Sequence, residues 1–328
     1  MEALQQFGIG LIQALQTFSP SLDGIMNFFT FLGRIEFYLL LIPFIYWTID
    51  KRLGMRTLLI LIFIDTAGTA FKLLFHQSRP YWMGGVKPLA QETSYGIPST
   101  HASDSLAVGG YLAYRVKKTW FWAVMVLLLF FIGLSRLFLG AHFPHDVLFG
   151  WLIGAIVLWG FMGSVDRIAT WITSKALFTQ IAIGFEISVA LILTGLLIRL
   201  LISGTSDPTS WGDYAREART ISPFFTLAGA LFGSVAGYAL MRQSARFQAS
   251  GPWVIRVLRY LLGMIGVLLI YVGLDLVFGF ITPDETILGY GLRYVRYAAV
   301  TFWMTWGAPF LFLKFKLAEA ENYRLSHN

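Results

Sequence analysis

Residues 119–138, TWFWAVMVLLLFFIGLSRLF, decide the fold of this 328-residue chain. The run carries a single charged side chain, Arg136, and matches the ~20 apolar residues that a helix needs to cross ~30 Å of hydrocarbon. Similar apolar segments lie at 35–50, 53–75, 99–116, 145–165, 176–202, 222–241, 255–280 and 295–315. Because none of them shows the two-residue alternation of barrel strands, the sequence predicts an all-α, polytopic helical membrane protein with about nine spans.

The composition of the chain supports a membrane location. Hydrophobic residues make up 56% of the chain and charged residues only 13%, whereas soluble domains usually carry about 25% charged residues. Such a chain cannot cover its surface with polar groups, which excludes a soluble enzyme and a disordered protein. The chain has no cysteine, so a disulfide scaffold and thiolate metal sites are excluded as well.

The net charge of +7 is typical of membrane topology rather than of nucleic-acid binding. Lys and Arg residues are scattered between the apolar runs instead of gathering on one face, so no nucleic-acid partner is predicted. With the N-terminus outside, fifteen of the 25 Lys and Arg residues fall in inside connections. The positive-inside rule therefore predicts an extracytoplasmic N-terminus and a cytoplasmic C-terminus.

Polarity and motifs divide the chain into three predicted regions. Residues 1–34 mix polar and apolar positions, as expected for amphipathic or re-entrant helices. Residues 35–165 carry the polar motifs described next, whereas residues 166–328 form additional spans whose role the sequence does not indicate. The longest polar connections are 80–98 and 203–220.

Three clusters of polar residues stand at the ends of neighbouring predicted spans, all on the outer side in this topology. They read Lys72-x6-Arg79-Pro80, Pro98-Ser99-Thr100-His101 and Ser135-Arg136-x5-His142-x3-Asp146. Phosphoryl transfer needs cations around the phosphate oxygens together with a nucleophile, and these clusters contain both kinds of group. Lys72 and Arg79 are nearly two helical turns apart, so they would share one face if the helix continues to Pro80.

These residues resemble the signature of the type 2 phosphatidic acid phosphatases (PAP2) and of their haloperoxidase, glucose-6-phosphatase and sphingosine-phosphate phosphatase relatives. The family pattern is K-x6-RP, PSGH and SR-x5-H-x3-D, and ten of its eleven fixed letters occur here in order. The match covers about residues 30–165. Thr100 stands where the family usually has glycine, which allows close backbone approach to phosphate. Sphingosine-phosphate phosphatases also have threonine there, which implies retained activity with a change in substrate size or rate.

The resemblance implies a metal-independent phosphatase that needs no cofactor and forms a phosphohistidine. His142 would be the nucleophile, Asp146 would orient its ring, and His101 would protonate the leaving oxygen and then activate water. The residues that would bind the phosphate are Lys72, Arg79, Ser99, Thr100 and Arg136. Asp65 and Ser135 would position these groups without contacting the substrate. Asp65 is included because it lies seven residues before Lys72, on the same helical face.

A lipid phosphate is the predicted substrate class: phosphatidate, a sphingoid-base phosphate, phosphatidylglycerol phosphate or a polyprenyl diphosphate. Such a substrate would enter sideways from the bilayer, and a homo-oligomer is compatible with the sequence. The first alternative is a soluble phosphate ester, because RPYW at 79–82 and the layout of about nine spans are similar to glucose-6-phosphatase. A transporter and a non-catalytic lipid-binding relative are further alternatives. Tyr81 and Trp82 are typical of an interfacial aromatic belt, with a substrate entrance as the alternative.

Overall fold

The computed structural model of the protein describes residues 2–321. In this part of the chain the regular structure is helical, apart from an isolated antiparallel bridge between Phe247 and Ala320, which confirms the predicted all-α class. The helices in chain order are α1 (Glu2–Gln16), α2 (Asp23–Phe31), α3 (Ile35–Thr48), α4 (Lys51–Phe75), α5 (Thr100–Val116), α6 (Thr119–Phe138), α7 (Pro144–Thr173), α8 (Leu177–Leu201), α9 (Gly212–Ala218), α10 (Ser222–Ser244), α11 (Trp253–Gly279), α12 (Ile287–Phe302) and α13 (Ala308–Lys314). Shorter helical turns lie at Pro80–Met83, Thr209–Trp211 and, with wider π-type hydrogen bonding, Trp303–Gly307. The C-terminus, predicted to be cytoplasmic, lies outside the described residues.

Among the described residues, six helical stretches are long and apolar enough to span a membrane. They are Lys51–Met83, Thr119–Phe138, Pro144–Thr173, Leu177–Leu201, Thr209–Ser244 and Trp253–Gly279. A seventh results if α2 and α3, which meet at a bend of 51°, count as one broken span. The predicted number of about nine is therefore higher than the structure supports. One reason is that α5 has only 17 residues, which reach about 26 Å at 1.5 Å per residue.

The chain folds into two compact units. The first combines the described residues of Met1–Tyr38, Ile60–Val165 and Leu193–Phe224. The second combines those of Leu39–Leu59, Asp166–Ile192 and Phe225–Asn328. Every predicted site residue belongs to the first unit. The three regions predicted from the sequence stay a prediction.

In the first unit, α1 and α2 pack beside α6. The residues that α1 buries recur every three or four positions, and they are Gln5, Gly8, Ile12 and Gln16. This spacing corresponds to one face of a helix. The Gln16 side-chain amide donates to the Phe138 carbonyl at 3.0 Å and to the Lys87 carbonyl at 2.9 Å. The N-terminal helix thereby holds the connection 80–98 against the end of α6.

Two glycines let α5 lie close to α4 and α7. A Cβ atom on Gly68 of α4 would stand 2.8 Å from the Thr100 methyl carbon, and one on Gly150 of α7 would stand 2.5 Å from the Ser99 carbonyl oxygen. Cβ atoms do not approach other atoms this closely in a packed interior, so both positions need glycine. This packing places the first turn of α5 between α4 and α7.

The second unit is held together by buried polar side chains that bond to backbone carbonyls. The Trp47 indole N–H donates to the Met304 carbonyl at 2.8 Å. Arg259 is fully buried, and the carbonyls that its guanidinium reaches belong to Gln248, Ala249 and Ser250. A buried cation is tolerated only when such partners replace water.

Candidate active site

The structure brings the three predicted clusters together in the first unit. The end of α4, the connection 80–98, the start of α5 and the turn between α6 and α7 all contribute side chains. Eight of the predicted residues are buried there: Lys72, Arg79, Ser99, His101, Ser135, Arg136, His142 and Asp146. Burying so many ionisable groups in one place is costly, which is typical of a catalytic or anion-binding centre.

His142 is oriented by Asp146. Nδ1 of His142 lies 3.3 Å from Oδ2 of Asp146, and the same oxygen accepts the backbone N–H of Phe143 at 2.9 Å. Pro144 begins α7 and places Asp146 in the first helical turn, where the helix dipole favours a carboxylate. With Nδ1–H donated to the carboxylate, Nε2 carries the lone pair that a nucleophile needs, and in the free protein it accepts an N–H of Arg79 at 3.1 Å.

The charges around His142 favour its neutral form. Burial, and then the positive charges of Arg79 and Lys72, lower the pKa of the His142 imidazole well below its usual value. Nε2 of His142 lies 3.1 Å from Nη1 of Arg79. A neutral ring nitrogen beside a guanidinium is suited to attack a phosphate that the same guanidinium binds.

Backbone carbonyls fix two of the cations. Lys72 Nζ donates to the Tyr95 carbonyl at 2.7 Å, and Arg79 Nη2 donates to the same oxygen at 3.2 Å. Arg79 also donates to the Ser94 carbonyl at 2.5 Å, to the Ser94 hydroxyl at 2.9 Å and to the Ala141 carbonyl at 2.9 Å. The connection 80–98 therefore sets the position of both cations.

The expected common helical face of Lys72 and Arg79 does not form. α4 ends at Phe75, His76 has a positive φ of 47° and Arg79 is extended. The helix thus stops before Arg79, and the two cations meet through the Tyr95 carbonyl instead.

Arg136 has two partners that the sequence analysis missed. It donates to the Thr30 hydroxyl and forms an ion pair with the Glu92 carboxylate. Burial alone would raise the pKa of the Glu92 carboxyl, but the charges of Arg136 and Arg79 outweigh it and hold the pKa well below its usual range. Glu92 is therefore ionised among the cations. The one sequence feature that could have indicated Glu92 as a site residue is its position in the polar connection between two motifs.

Four buried polar atoms around this cluster make no hydrogen bond within the described part of the chain: Ser99 Oγ, His101 Nε2, Arg136 Nε and Asp146 Oδ1. Asp146 Oδ1 does lie 3.4 Å from Nε2 of His145, within ion-pair distance but without hydrogen-bond geometry. Buried polar atoms normally have partners, so these four atoms are available to bind a ligand or water. Ser99 and Arg136 offer donors, which match an anion.

The two predicted supporting residues have different surroundings. The Ser135 hydroxyl donates to the Ile132 carbonyl at 2.7 Å, inside its own helix. Asp65 lies within electrostatic range of Lys72 and of the buried Asp104. The functional roles of these residues, like those of the other site residues, stay predictions.

Tyr81 and Trp82 are buried in the first unit. Trp82 stacks on Tyr214 with ring centroids 5.6 Å apart. The Tyr81 hydroxyl donates to the Glu92 carbonyl and accepts the Glu92 N–H, both at 3.0 Å. These contacts differ from the expected interfacial belt, in which the rings would face lipid headgroups.

Two family models match separate parts of the chain. The model of the PAP2 superfamily matches residues 53–169, and that of the PAP2 superfamily phosphatase transmembrane extension matches residues 225–320. The second match lies in a region where the sequence analysis found no motif. Residues 170–224 lie between the two matches.

Known proteins are similar to about half of the chain. Glucose-6-phosphatase 3 of Bos taurus is 30% identical over 185 residues, which cover 48% of this chain and 53% of the relative. Sphingosine-1-phosphate phosphatase 2 of Mus musculus is 30% identical over 157 residues, which cover 43% and 44%. The chain spans about half the length of the curated relatives it matches. The solved transmembrane PAP2-type phosphatidylglycerolphosphate phosphatase of Bacillus subtilis is 24% identical, with 51% of this chain and 89% of that chain covered and a TM-score of 0.46.

Proposed function

The chain belongs to the PAP2 superfamily, and we propose that it is an integral-membrane phosphatase that hydrolyses a lipid phosphate through a phosphohistidine intermediate. The observation that carries the proposal is the geometry of the His142 ring. Asp146 binds its Nδ1 side, while Nε2 lies 3.1 Å from the Arg79 guanidinium. This arrangement leaves the lone pair on Nε2, and a phosphate that takes over the Arg79 N–H would release that lone pair for attack.

The substrate phosphate would lie between Arg79, Arg136 and the start of α5. The Ser99 hydroxyl and Arg136 Nε, which lack partners in the described residues, would donate to its oxygens. The first N–H groups of α5 have no intrahelical acceptor, as in any helix, and would add further donors. With Lys72, these groups supply the positive charge that phosphoryl transfer needs, so the proposed reaction uses no metal or other cofactor.

Glu92 would leave Arg136 when the substrate binds. Its carboxylate and the phosphate are both anions that seek the same guanidinium, and the pair cannot share it without repulsion. In the free protein Glu92 balances the charge of Arg136 and orients its guanidinium. Binding therefore exchanges one anion for another.

The reaction would take place in two steps. In the first, Nε2 of His142 attacks phosphorus, the P–O ester bond breaks, and His101, which takes up a proton when the phosphate anion binds beside it, gives that proton from Nε2 to the leaving oxygen. In the second, the now neutral His101 takes a proton from water, the water oxygen attacks phosphorus, and the P–N bond breaks. His142 returns to its neutral form and inorganic phosphate is released.

Thr100 is compatible with this site. A Cβ atom on Gly68 would meet the Thr100 methyl carbon at 2.8 Å, so the side chain is directed toward α4. Thr100 is also the first residue of α5, which leaves its backbone N–H without an intrahelical acceptor. We expect the threonine to fill space beside α4 while its backbone still binds phosphate.

The substrate class is the finer part of the proposal. A lipid phosphate is supported by the similarity to a sphingosine-1-phosphate phosphatase. It is also supported by the apolar helices that precede and follow the site residues along the chain. A soluble phosphate ester is the second candidate, since the match to a glucose-6-phosphatase extends over 185 residues. The distribution of Lys and Arg residues supports a site on the extracytoplasmic side.

Phosphate release by the purified full chain tests the proposal. The assay uses mixed micelles with a chelator present, and compares phosphatidate, sphingosine phosphate, undecaprenyl diphosphate and glucose 6-phosphate. We expect turnover that persists in the chelator, is fastest on a lipid phosphate and is lost in His142→Ala. Release that continues in His142→Ala would refute the mechanism, and glucose 6-phosphate as the best substrate would refute the lipid assignment.

A further inference from the structure

The connection 203–220 contacts the active-site connection 80–98. We call residues 203–220 the strap; they lie in the part of the chain between the two family matches. Asp207 of the strap accepts the Tyr95 hydroxyl at 2.8 Å and Arg219 Nε at 2.5 Å. The Asp207 side chain is only 8% exposed and that of Arg219 is 28% exposed, so both bonds are partly shielded from water.

Tyr95 connects the strap to the catalytic cations. The residue is fully buried, and its backbone carbonyl accepts Lys72 Nζ and Arg79 Nη2. Its hydroxyl, at the other end of the side chain, bonds to Asp207. Burial, and then the hydrogen bond to Asp207, raise the pKa of the Tyr95 hydroxyl above its usual value, so it stays protonated and donates.

Aromatic contacts make a second connection between the strap and the site. Tyr214 of the strap stacks on Trp82 at an interplanar angle of 10° and meets the Tyr81 ring edge-on, with centroids 5.5 Å apart. Trp211 packs on Trp82 with centroids 5.6 Å apart. Since the Tyr81 hydroxyl holds both backbone groups of Glu92, the strap also supports the residue that pairs with Arg136.

We propose that the strap is a positioning element of the active site, with Asp207 acting through Tyr95 on Lys72 and Arg79. This proposal rests on the proposed phosphatase function. The strap touches no reacting atom; it fixes the backbone oxygen to which both cations donate. Phosphoryl transfer depends on cations held in place before the substrate arrives, and small displacements of such groups lower the rate strongly.

Conservative variants test the proposal in the full chain. Tyr95→Phe removes only the hydroxyl, and Asp207→Asn removes only the charge. We expect each to lower kcat about tenfold and to raise the inhibition constant of vanadate, a phosphate analogue, by a similar factor. Because both variants weaken the same Tyr95–Asp207 hydrogen bond, the loss in the double variant should be smaller than the product of the two single losses.

Asp213→Asn is the matched control. Asp213 is in the same strap, but it pairs with Arg216 on the surface, where the two side chains are 80% and 84% exposed. We expect wild-type kcat and vanadate inhibition for this variant. Thermal unfolding of each variant separates a loss of fold from a loss of positioning. A variant that has lost only positioning keeps the wild-type unfolding midpoint but has a changed vanadate inhibition constant.

Three outcomes would overturn the proposal: Tyr95→Phe and Asp207→Asn behaving like Asp213→Asn, a double variant with the product of the two single losses, or equal losses in all three single variants. Vanadate-induced thermal stabilisation gives a readout that does not need turnover. If the wild type binds vanadate but hydrolyses no phosphate ester, the proposed function fails. The strap proposal would then still stand or fall on whether Tyr95→Phe and Asp207→Asn weaken vanadate binding.

Discussion

Replacing Glu92 with glutamine removes the negative charge that occupies Arg136 in the free protein. The Glu92 carboxylate pairs with the Arg136 guanidinium, and their side chains are 25% and 0% exposed. An anion that binds Arg136 must first break this pair. Glu92→Gln should therefore make the site bind a phosphate analogue more tightly, while a residue that assists binding would have the opposite effect.

The size of the effect follows from the strength of this contact. A hydrogen bond to a charged group contributes about 1.5–3 kcal/mol net, and glutamine keeps a weaker carbonyl acceptor. If roughly half of that contribution is lost, the competing anion gains about 0.75–1.5 kcal/mol, which corresponds to a change in affinity of about 3- to 13-fold. We therefore expect the inhibition constant of vanadate to fall about 3- to 13-fold in Glu92→Gln.

The assay is competitive inhibition of phosphate release by vanadate and by inorganic phosphate, measured on the full chain. Glu36→Gln is the control, because Glu36 lies exposed in the first turn of α3. The control should match the wild type. An unchanged inhibition constant in Glu92→Gln would show that the carboxylate does not compete with phosphate. An increased constant would show that Glu92 contributes to binding, and either result would refute the reasoning.

Three further perturbations test the site and its packing. Asp146→Asn should lower kcat about 10³-fold, because the amide no longer favours the Nδ1–H tautomer of His142; single-turnover phosphate release measures this, and a loss below tenfold would contradict the assigned role. Gly150→Ala should lower the free energy of unfolding by about 1–3 kcal/mol, because a Cβ atom overlaps the Ser99 carbonyl; an unchanged unfolding midpoint would contradict the close helix packing. His142 has a depressed pKa in the folded protein, so folding favours its neutral form, and stability should fall as pH drops below about 6.5, the usual pKa of histidine. Thermal unfolding from pH 7.5 to 5 should show a smaller loss in His142→Asn than in the wild type, and equal losses would refute the assignment.

The helical class and the position of the polar motifs at helix ends could be predicted from the sequence because both depend on local signals. A run such as 119–138 is apolar along its whole length, and lipid accepts such a run only as a helix that satisfies its own backbone. His142 and Asp146 lie four residues apart at the start of α7, so chain geometry alone brings them within reach. The polar motifs stand at helix ends, which the hydropathy pattern locates.

The number of spans was predicted less well, because composition does not determine where a helix ends or bends. α5 has only 17 residues, which is short for a span, and the ionisable Asp104 and Arg115 lie among its apolar residues. α2 and α3 meet at a bend of 51°, which depends on how each packs against its neighbours. The extent of a helix inside a folded protein is set by these contacts as much as by its own residues.

The sequence by itself determined that this is a helical membrane protein with cations, histidines and a carboxylate at the ends of its helices. Only the tertiary structure decided what holds those cations. Arg136 meets Thr30 and Glu92, which are 106 and 44 residues away along the chain, and Lys72 and Arg79 donate to the backbone carbonyl of Tyr95. Every residue has the same backbone carbonyl oxygen, so the sequence does not indicate which carbonyl will bind a cation. Partners that are distant in sequence come together only when the whole unit packs, and that packing gives the site its geometry.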